Sequence, residues 1–270
     1  MSEGMTATMS DPSDAIASGE IRELPFEFRG DGAEYFKIWI VNILLTIVTL
    51  GIYSAWAKVR NNRYFYSNLY LDGESFRYLA DPFTILKSRI IAVVVFATFI
   101  VLSELFPVAG LVLALALMAI TPLLVVRSLA FNHRMSAYRN IQFRFDASYG
   151  ETVMALLVWP ILGMLTAGIL YPYAILKSSE FIVRNSSYGT AAFDFDAETW
   201  DYGRIVLIFL GVLIATFFLT VGLTLLGTGV GSALSPIIAL SGYVLAGVYL
   251  TVMLTNVYYN STSLQAHELA

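Results

Sequence analysis

Cysteine is absent from this 270-residue chain, and histidine occurs only as His133 and His267. The absence of cysteine excludes disulfide bonds, thiolate catalysis and cysteine-ligated metal sites. Charged residues are also scarce, at 13% of the chain, and with a net charge of −4 no basic domain suggests nucleic-acid binding. No Ser-His-Asp set, paired histidines or phosphate loop with its lysine is visible. We therefore predict no catalytic, cofactor-binding or metal-binding residues and no enzymatic activity.

Apolar residues dominate instead, at 57% of the chain, and the mean hydropathy is +0.70. Soluble domains contain about 25% charged residues, so this composition indicates lipid as the solvent. About 20 apolar residues suffice for one helical crossing. The pattern predicts an α-helical polytopic membrane protein with six apolar segments: Tyr35–Ala57, Ile90–Phe106, Val108–Val126, Thr152–Ala174, Ile205–Gly227 and Pro236–Val257.

The six segments differ in character. Turns at Pro107 and in the glycine-rich stretch after Gly227 join the second to the third and the fifth to the sixth as tight helical hairpins. Glycine and proline in the first and fourth segments favour a bend or an early stop.

An internal repeat organises the chain. A shift of 117 positions places Phe26 on Phe143, Gly51 on Gly168 and many further residues on similar ones. Such self-similarity predicts two tandem copies of one membrane unit. The predicted divisions are a disordered acidic tail at 1–24, membrane repeats at 25–141 and 142–258, and a C-terminal tail at 259–270.

Four triplets of aromatic, charged and aromatic residues predict short β-strands, because alternation puts both rings on one face. They are residues 26–28, 76–78, 143–145 and 193–195. We interpret them as edge-paired strands of a small interfacial sheet. Neither hairpin turn contains Lys or Arg, which favours a cytoplasmic location for the strands and both termini. The first and fourth segments then enter the membrane and return to the same side, or lie in the membrane interface. Six complete crossings of the membrane remain the alternative.

Polar residues inside the apolar segments suggest candidate sites. Asp31–Glu34 and Ser148–Glu151 have the spacing of capping boxes, while a symmetric carboxylate pair is the functional alternative. A hypothetical polar path comprises Glu34, Asn42, Thr46, Glu151 and Gly168. Trp56, Lys58, Arg60 and Arg63 form a basic and aromatic flank, which is typical of contact with lipid headgroups.

A specific string carries a family resemblance. It is Thr-Leu-Gly-Ile-Tyr-Ser-Ala-Trp-Ala-Lys-Val-Arg at 49–60, supported by 26–32, 63–68 and 71–76. Together these stretches resemble the YjgN-like family of bacterial inner-membrane proteins, a domain of unknown function, over essentially the whole chain from Phe26. The resemblance implies inner-membrane residence and a polytopic fold, and it implies no catalytic residues.

Two functions stay open at this point. Broken helices at matching positions of a repeat are typical of transporters, which favours small-solute transport or a channel. The basic flank and the predicted sheet favour a non-transporting module that organises lipid or a protein partner. Membrane lipids are the expected partners under both readings, and a homo-oligomer or an unidentified protein partner stays open.

Overall fold

The computed structural model describes residues 24–227, 229–264 and 267–268. The chain divides into two compact units, Met1–Lys87 and Ser88–Ala270. Apart from Leu24, the predicted acidic tail lies outside the described residues.

Helices dominate the described part of the chain. In order they are α1 Gly32–Val48, α2 Ser54–Asn68, α3 Pro82–Leu105, α4 Pro107–Arg134, α5 Tyr149–Leu165, α6 Tyr171–Arg184, α7 Thr199–Leu225 and α8 Gly229–Asn260. A π-helical stretch, Met154–Val158, interrupts α5 just before Pro160. Proline lacks the N–H that continues an α-helical ladder, which accounts for the local change in helix type.

Among the described residues, four helices are long and apolar enough to cross a membrane: α3, α4, α7 and α8. At most 11% of their most apolar windows is buried, so nearly all these side chains need lipid around them. Of the six predicted apolar segments, the first and the fourth, for which a bend or an early stop was predicted, are not among these candidate spans. Tyr35–Ala57 and Thr152–Ala174 are not continuous helices, because each contains a helix end, a turn and the start of the next helix.

The turns after α1 and α5 explain this difference. Leu50 and Gly51 have φ of 49° and 91°, and Ala167 and Gly168 have φ of 52° and 91°. In both turns the glycine N–H donates to the carbonyl five residues earlier, at 2.8 Å. This is the hydrogen bond of a Schellman motif, which satisfies carbonyls at a helix end. Both helices therefore end just before the glycine, at Val48 and Leu165, where the sequence predicted a bend or an early stop.

Local capping fixes the helix starts. Asp31 Oδ1 accepts from the Glu34 N–H at 2.8 Å. At α5, Ser148 Oγ accepts from the Glu151 N–H at 3.3 Å, and Glu151 Oε2 accepts from the Ser148 N–H at 3.2 Å. The predicted capping box is thus confirmed with both hydrogen bonds at Ser148. At Asp31 the bond from the Glu34 N–H to the capping side chain is confirmed.

One short strand precedes α1, and pairs of short antiparallel strands follow α2, α4, α6 and α8. In the first unit they are β1 Phe26–Phe28, β2 Leu69–Leu71 and β3 Glu74–Tyr78; in the second they are β4 Ser136–Tyr138, β5 Ile141–Phe145, β6 Ser186–Tyr188, β7 Ala191–Phe195, β8 Thr262–Leu264 and β9 His267–Glu268. Within each unit, consecutive strands pair. Strand β8 lies inside the predicted C-terminal tail and pairs with β7.

The four predicted triplets lie in β1, β3, β5 and β7, but they do not pair with one another as expected. Strand β2 lies between β1 and β3, and β6 lies between β5 and β7. The aromatic rings still meet across the intervening strand: the centroids of Phe26 and Phe76 are 6.3 Å apart, and those of Phe143 and Phe193 are 6.4 Å apart. Sequence missed β2 and β6 because they continue directly from helix ends and lack the alternating pattern.

The apolar core of the second unit lies where α6 packs against the sheet. One cluster joins Leu176 and Val183 of α6 to Phe195 and Tyr202. Another contains Phe145, Ala155 and Phe181. Each of these side chains is buried, whereas the four candidate spans remain largely uncovered. The sheet end of this unit therefore has a core of its own.

Candidate functional site

Helix α2 is held in place by its buried face. Ala55, Val59 and Tyr64 are 0%, 2% and 7% exposed. The Tyr64 hydroxyl also donates to the Asp31 carbonyl at 2.6 Å, which ties α2 to the start of α1. Arg60 and Arg63 of the same helix are exposed.

A cavity of about 540 Å³ lies between α2 and β3 in the first unit. Arg60, Arg63 and Ser67 contribute from α2, where residues three and seven positions apart share one helix face. The complete lining is Ile38, Arg60, Arg63, Tyr64, Ser67, Ser75, Phe76, Arg77 and Tyr78. The cavity is a groove that is largely open to the outside.

The lining of this cavity contains three arginines and no carboxylate. Arg63 Nη2 donates to the Ala80 carbonyl at 3.1 Å, which orients that guanidinium. Arg60 is exposed and bonds to no other residue in the described ranges. Tyr78 is 6% exposed, and its hydroxyl has no hydrogen-bond partner among the described residues. The site is thus cationic and rich in donors.

Of the four residues predicted to contact lipid headgroups, Arg60 and Arg63 line this cavity, and Trp56 and Lys58 do not. Trp56 is half-buried: it stacks on Tyr53, with ring centroids 6.2 Å apart, and meets the edge of Phe83 at 5.2 Å. Lys58 is exposed.

Sequence reasoning did not select Arg77, the third arginine of the lining. Arg77 lies in strand β3 between Phe76 and Tyr78. The alternation that predicted this strand also put the charge on the face opposite the rings. That signal could have added Arg77 to the candidates, although nothing in the sequence brings β3 to α2.

The polar path predicted in the first unit consists of side chains with structural roles. Asn42 is 4% exposed, and its Nδ2 donates to Asn61 Oδ1 of α2 at 2.8 Å. Thr46 Oγ1 donates to the Asn42 carbonyl at 2.6 Å, and Glu34 is exposed at the capped start of α1. None of the three lines the cavity.

The path residues of the second unit also have structural roles. Glu151 completes the capping box of α5. Gly168 forms the left-handed turn that follows α5. Both residues therefore shape the backbone at the ends of α5, Glu151 at its start and Gly168 after its end.

Positions shifted by 117 in the second unit hold a different set of charges. Lys177, Glu180 and Asp194 stand where the first unit has Arg60, Arg63 and Arg77, and Arg184 stands where it has Ser67. Lys177 Nζ is 2.6 Å from Glu180 Oε2, and Arg184 Nε is 3.1 Å from Asp194 Oδ1. Arg184 also pairs with Glu180. This cluster is internally neutral, with two cations and two carboxylates.

A histidine that sequence reasoning set aside has a structural role. His133 Nε2 is 3.0 Å from Ser186 Oγ, and its Nδ1 is 2.8 Å from the Leu129 carbonyl. The ring therefore connects the end of α4 to β6. Within the described ranges, no group of three or more His, Asp or Glu residues is arranged to hold a metal ion.

A family model described as "Bacterial protein of unknown function (DUF898)" matches residues 23–270. The chain belongs to this family. Relatives of this DUF898 chain include "Inner membrane protein YjgN" of Escherichia coli strain K12, 31% identical over 163 residues, and its namesake in Salmonella typhimurium strain LT2, 31% identical over 159 residues. These matches cover 60% and 58% of this chain and 40% of each relative. No solved structure matches significantly.

Proposed function

We propose that this protein is a multi-pass bacterial inner-membrane protein that organises anionic lipid at the cytoplasmic face and does not transport solutes. The observation that carries the proposal is a pair of exposed cations on α2, Lys58 and Arg60. Neither bonds to another described residue, and both lie in the first half of α2, the helix that follows the apolar helix α1. Cations near the membrane surface attract anionic headgroups, each contributing about 1 kcal/mol. The relatives are named inner membrane proteins, which supports a location in the inner membrane.

Two tandem copies form the basis of this proposal. The strand registers support the duplication, since Phe26 pairs with Leu71 and Phe143 pairs with Tyr188, which lie 117 positions further on. The matching left-handed turns after α1 and α5 support it as well.

Helices α1 and α5 enter the membrane and return, while α3, α4, α7 and α8 cross it. Each of the two shorter helices has 17 residues, or about 26 Å, which is less than the hydrocarbon thickness of about 30 Å. The tips of their turns expose apolar side chains: Leu50 is 94% exposed and Ile169 is 81% exposed. Lipid around these tips accounts for such exposure.

The distribution of basic residues supports cytoplasmic strands and termini. Lys87 and Arg89 lie near the start of α3, and Arg127 and Arg134 lie near the end of α4. The turn between α3 and α4 contains neither Lys nor Arg. Cytoplasmic ends carry the excess of basic residues in membrane proteins.

Labelling of single cysteines tests this topology, since the chain has no native cysteine. Gly32→Cys, Glu74→Cys, Gly150→Cys and Ala192→Cys are expected to react with a membrane-impermeant thiol reagent only from the cytoplasmic side. All four positions are exposed. Glu104→Cys, near the α3–α4 turn, is the opposite-side control and is expected to react from the periplasm. Reaction of Gly32→Cys and Glu74→Cys from opposite sides would show that α1 crosses the membrane.

Solute transport has weaker support than the organisation of anionic lipid. Asn42 Nδ2 donates to Asn61 of α2 and Thr46 Oγ1 donates to the Asn42 carbonyl within α1, so both side chains already make local hydrogen bonds, while Asn42 Oδ1 has no partner among the described residues. Hydrogen bonding between helices is the common use of such residues.

Two measurements on the purified protein test the proposed function. We expect mass spectrometry to detect anionic phospholipid retained through detergent purification, in excess over its share of the membrane. We expect proteoliposomes to take up ions and small solutes no faster than protein-free vesicles. Solute flux above that background, together with no enrichment of anionic lipid, would refute the proposal.

A further inference from the structure

We propose that the cavity between α2 and β3 binds one phosphate-bearing anion, either the phosphate of a lipid headgroup or free phosphate. This inference rests on the proposed function and names the ligand class. It also assigns the ligand to a defined set of side chains, Arg60, Arg63 and Arg77, rather than to the cations of α2 in general.

The first argument is electrostatic. Three guanidinium groups line one cavity without a carboxylate in the lining, so an anion bound there would lower their mutual repulsion. Elsewhere in the same unit, Arg29 has a carboxylate partner, with its Nη2 2.6 Å from Glu27 Oε2. Arg60 has no such partner among the described residues.

The second argument is chemical fit. Guanidinium groups bind phosphate oxygens through paired, charge-assisted hydrogen bonds. Ser67 and Ser75 add hydroxyl groups to the lining, and the buried Tyr78 hydroxyl has no partner in the described part of the chain. A phosphate group offers several acceptor oxygens, which suits a site composed of donors.

The third argument comes from the second unit. Glu180 and Asp194 stand at the positions of Arg63 and Arg77, and they pair with Lys177 and Arg184. The same helix-and-hairpin framework there contains its own carboxylates. We infer that these carboxylates take the place that an external anion takes in the first unit, so that each chain has one anion site.

Titration calorimetry on the full-length protein in phosphatidylcholine nanodiscs tests this inference. One arm uses inorganic phosphate, and the other uses a short-chain, water-soluble phosphatidylglycerol. We expect the wild type to bind at least one of these probes. The double variant Arg60→Gln/Arg77→Gln is expected to weaken binding at least about tenfold, because it removes charge-assisted hydrogen bonds to the anion.

Lys37→Gln is the matched control. It removes one positive charge from an exposed position of α1 outside the cavity lining, and we expect it to bind within about twofold of the wild type. Arg60→Gln alone guards against misfolding, since Arg60 bonds to no other described residue, and it is expected to weaken binding in the same direction. Binding of both probes would identify phosphate itself as sufficient, and binding of the lipid alone would identify the headgroup as the source.

Failure to bind either probe, or equal loss in Lys37→Gln and the double variant, would overturn the inference. Retained lipid separates this failure from failure of the proposed function. If Arg60→Gln/Arg77→Gln co-purifies with as much anionic lipid as the wild type, the cavity assignment is wrong while the proposed function stands. If phosphate binding depends on the cavity but no anionic lipid is enriched, the cavity assignment stands and lipid organisation is refuted.

Discussion

Replacing Glu180 with Gln and Asp194 with Asn in the same chain is expected to create a second anion site. In the wild type these carboxylates pair with Lys177 and Arg184. Amide side chains have nearly the same shape but no charge, so the two cations lose their partners and become available to phosphate. Calorimetry in phosphatidylcholine nanodiscs measures the result as a rise in the number of anions bound per chain.

A matched control separates local release of the cations from a change in net charge. Asp146→Asn/Asp196→Asn removes the same two charges from exposed positions in the same unit, outside the ion-pair cluster. We expect this variant to keep the stoichiometry of the wild type. Adding Lys177→Gln to the first variant is expected to weaken the new site at least about tenfold. If the control pair gains a site as readily, general electrostatic attraction explains the result and the comparison between the two units is wrong.

The Gly242→Ala substitution is expected to destabilise the packing of α7 against α8 by about 1–3 kcal/mol, through overpacking. A Cβ added at Gly242 would lie 2.5 Å from Thr216 Cγ2 and 3.0 Å from Thr216 Cβ. Thr216 cannot easily move away, since it is 8% exposed and its Oγ1 donates to the Val212 carbonyl at 2.8 Å. Unfolding of the purified protein in detergent micelles measures the loss.

The same helix supplies the control for this prediction. A Cβ at Gly247 would meet no atom within 4 Å, so Gly247→Ala is expected to leave the free energy of unfolding unchanged or slightly higher, because alanine favours the helix. Thr216→Ala removes the hydroxyl and methyl groups nearest to the new Cβ. We expect it to restore most of the stability lost in Gly242→Ala. Equal effects of the two glycine substitutions would contradict close packing at Gly242.

The comparison of Arg77 with Lys58 shows where prediction from sequence reaches its limit. Lys58 was selected because it lies in a basic and aromatic flank next to an apolar segment, and that flank is visible in consecutive residues. Arg77 was missed because it reaches the cavity only when the chain reverses after α2 and returns as β3. Strand β2 was missed for a related reason, since its pairing with β1 joins residues more than forty positions apart.

The sequence by itself determined the apolar spans, the stops at Gly51 and Gly168, the cap at Ser148 and the four alternating strands. Each of these depends on side chains within one or two helical turns, where composition and spacing act directly. Only the tertiary structure decided that three arginines share one cavity and that Glu180 and Asp194 pair with Lys177 and Arg184 in the second unit. The physical reason is that charge interactions depend on distance through space, and the helix-and-hairpin reversal brings together residues that are far apart along the chain.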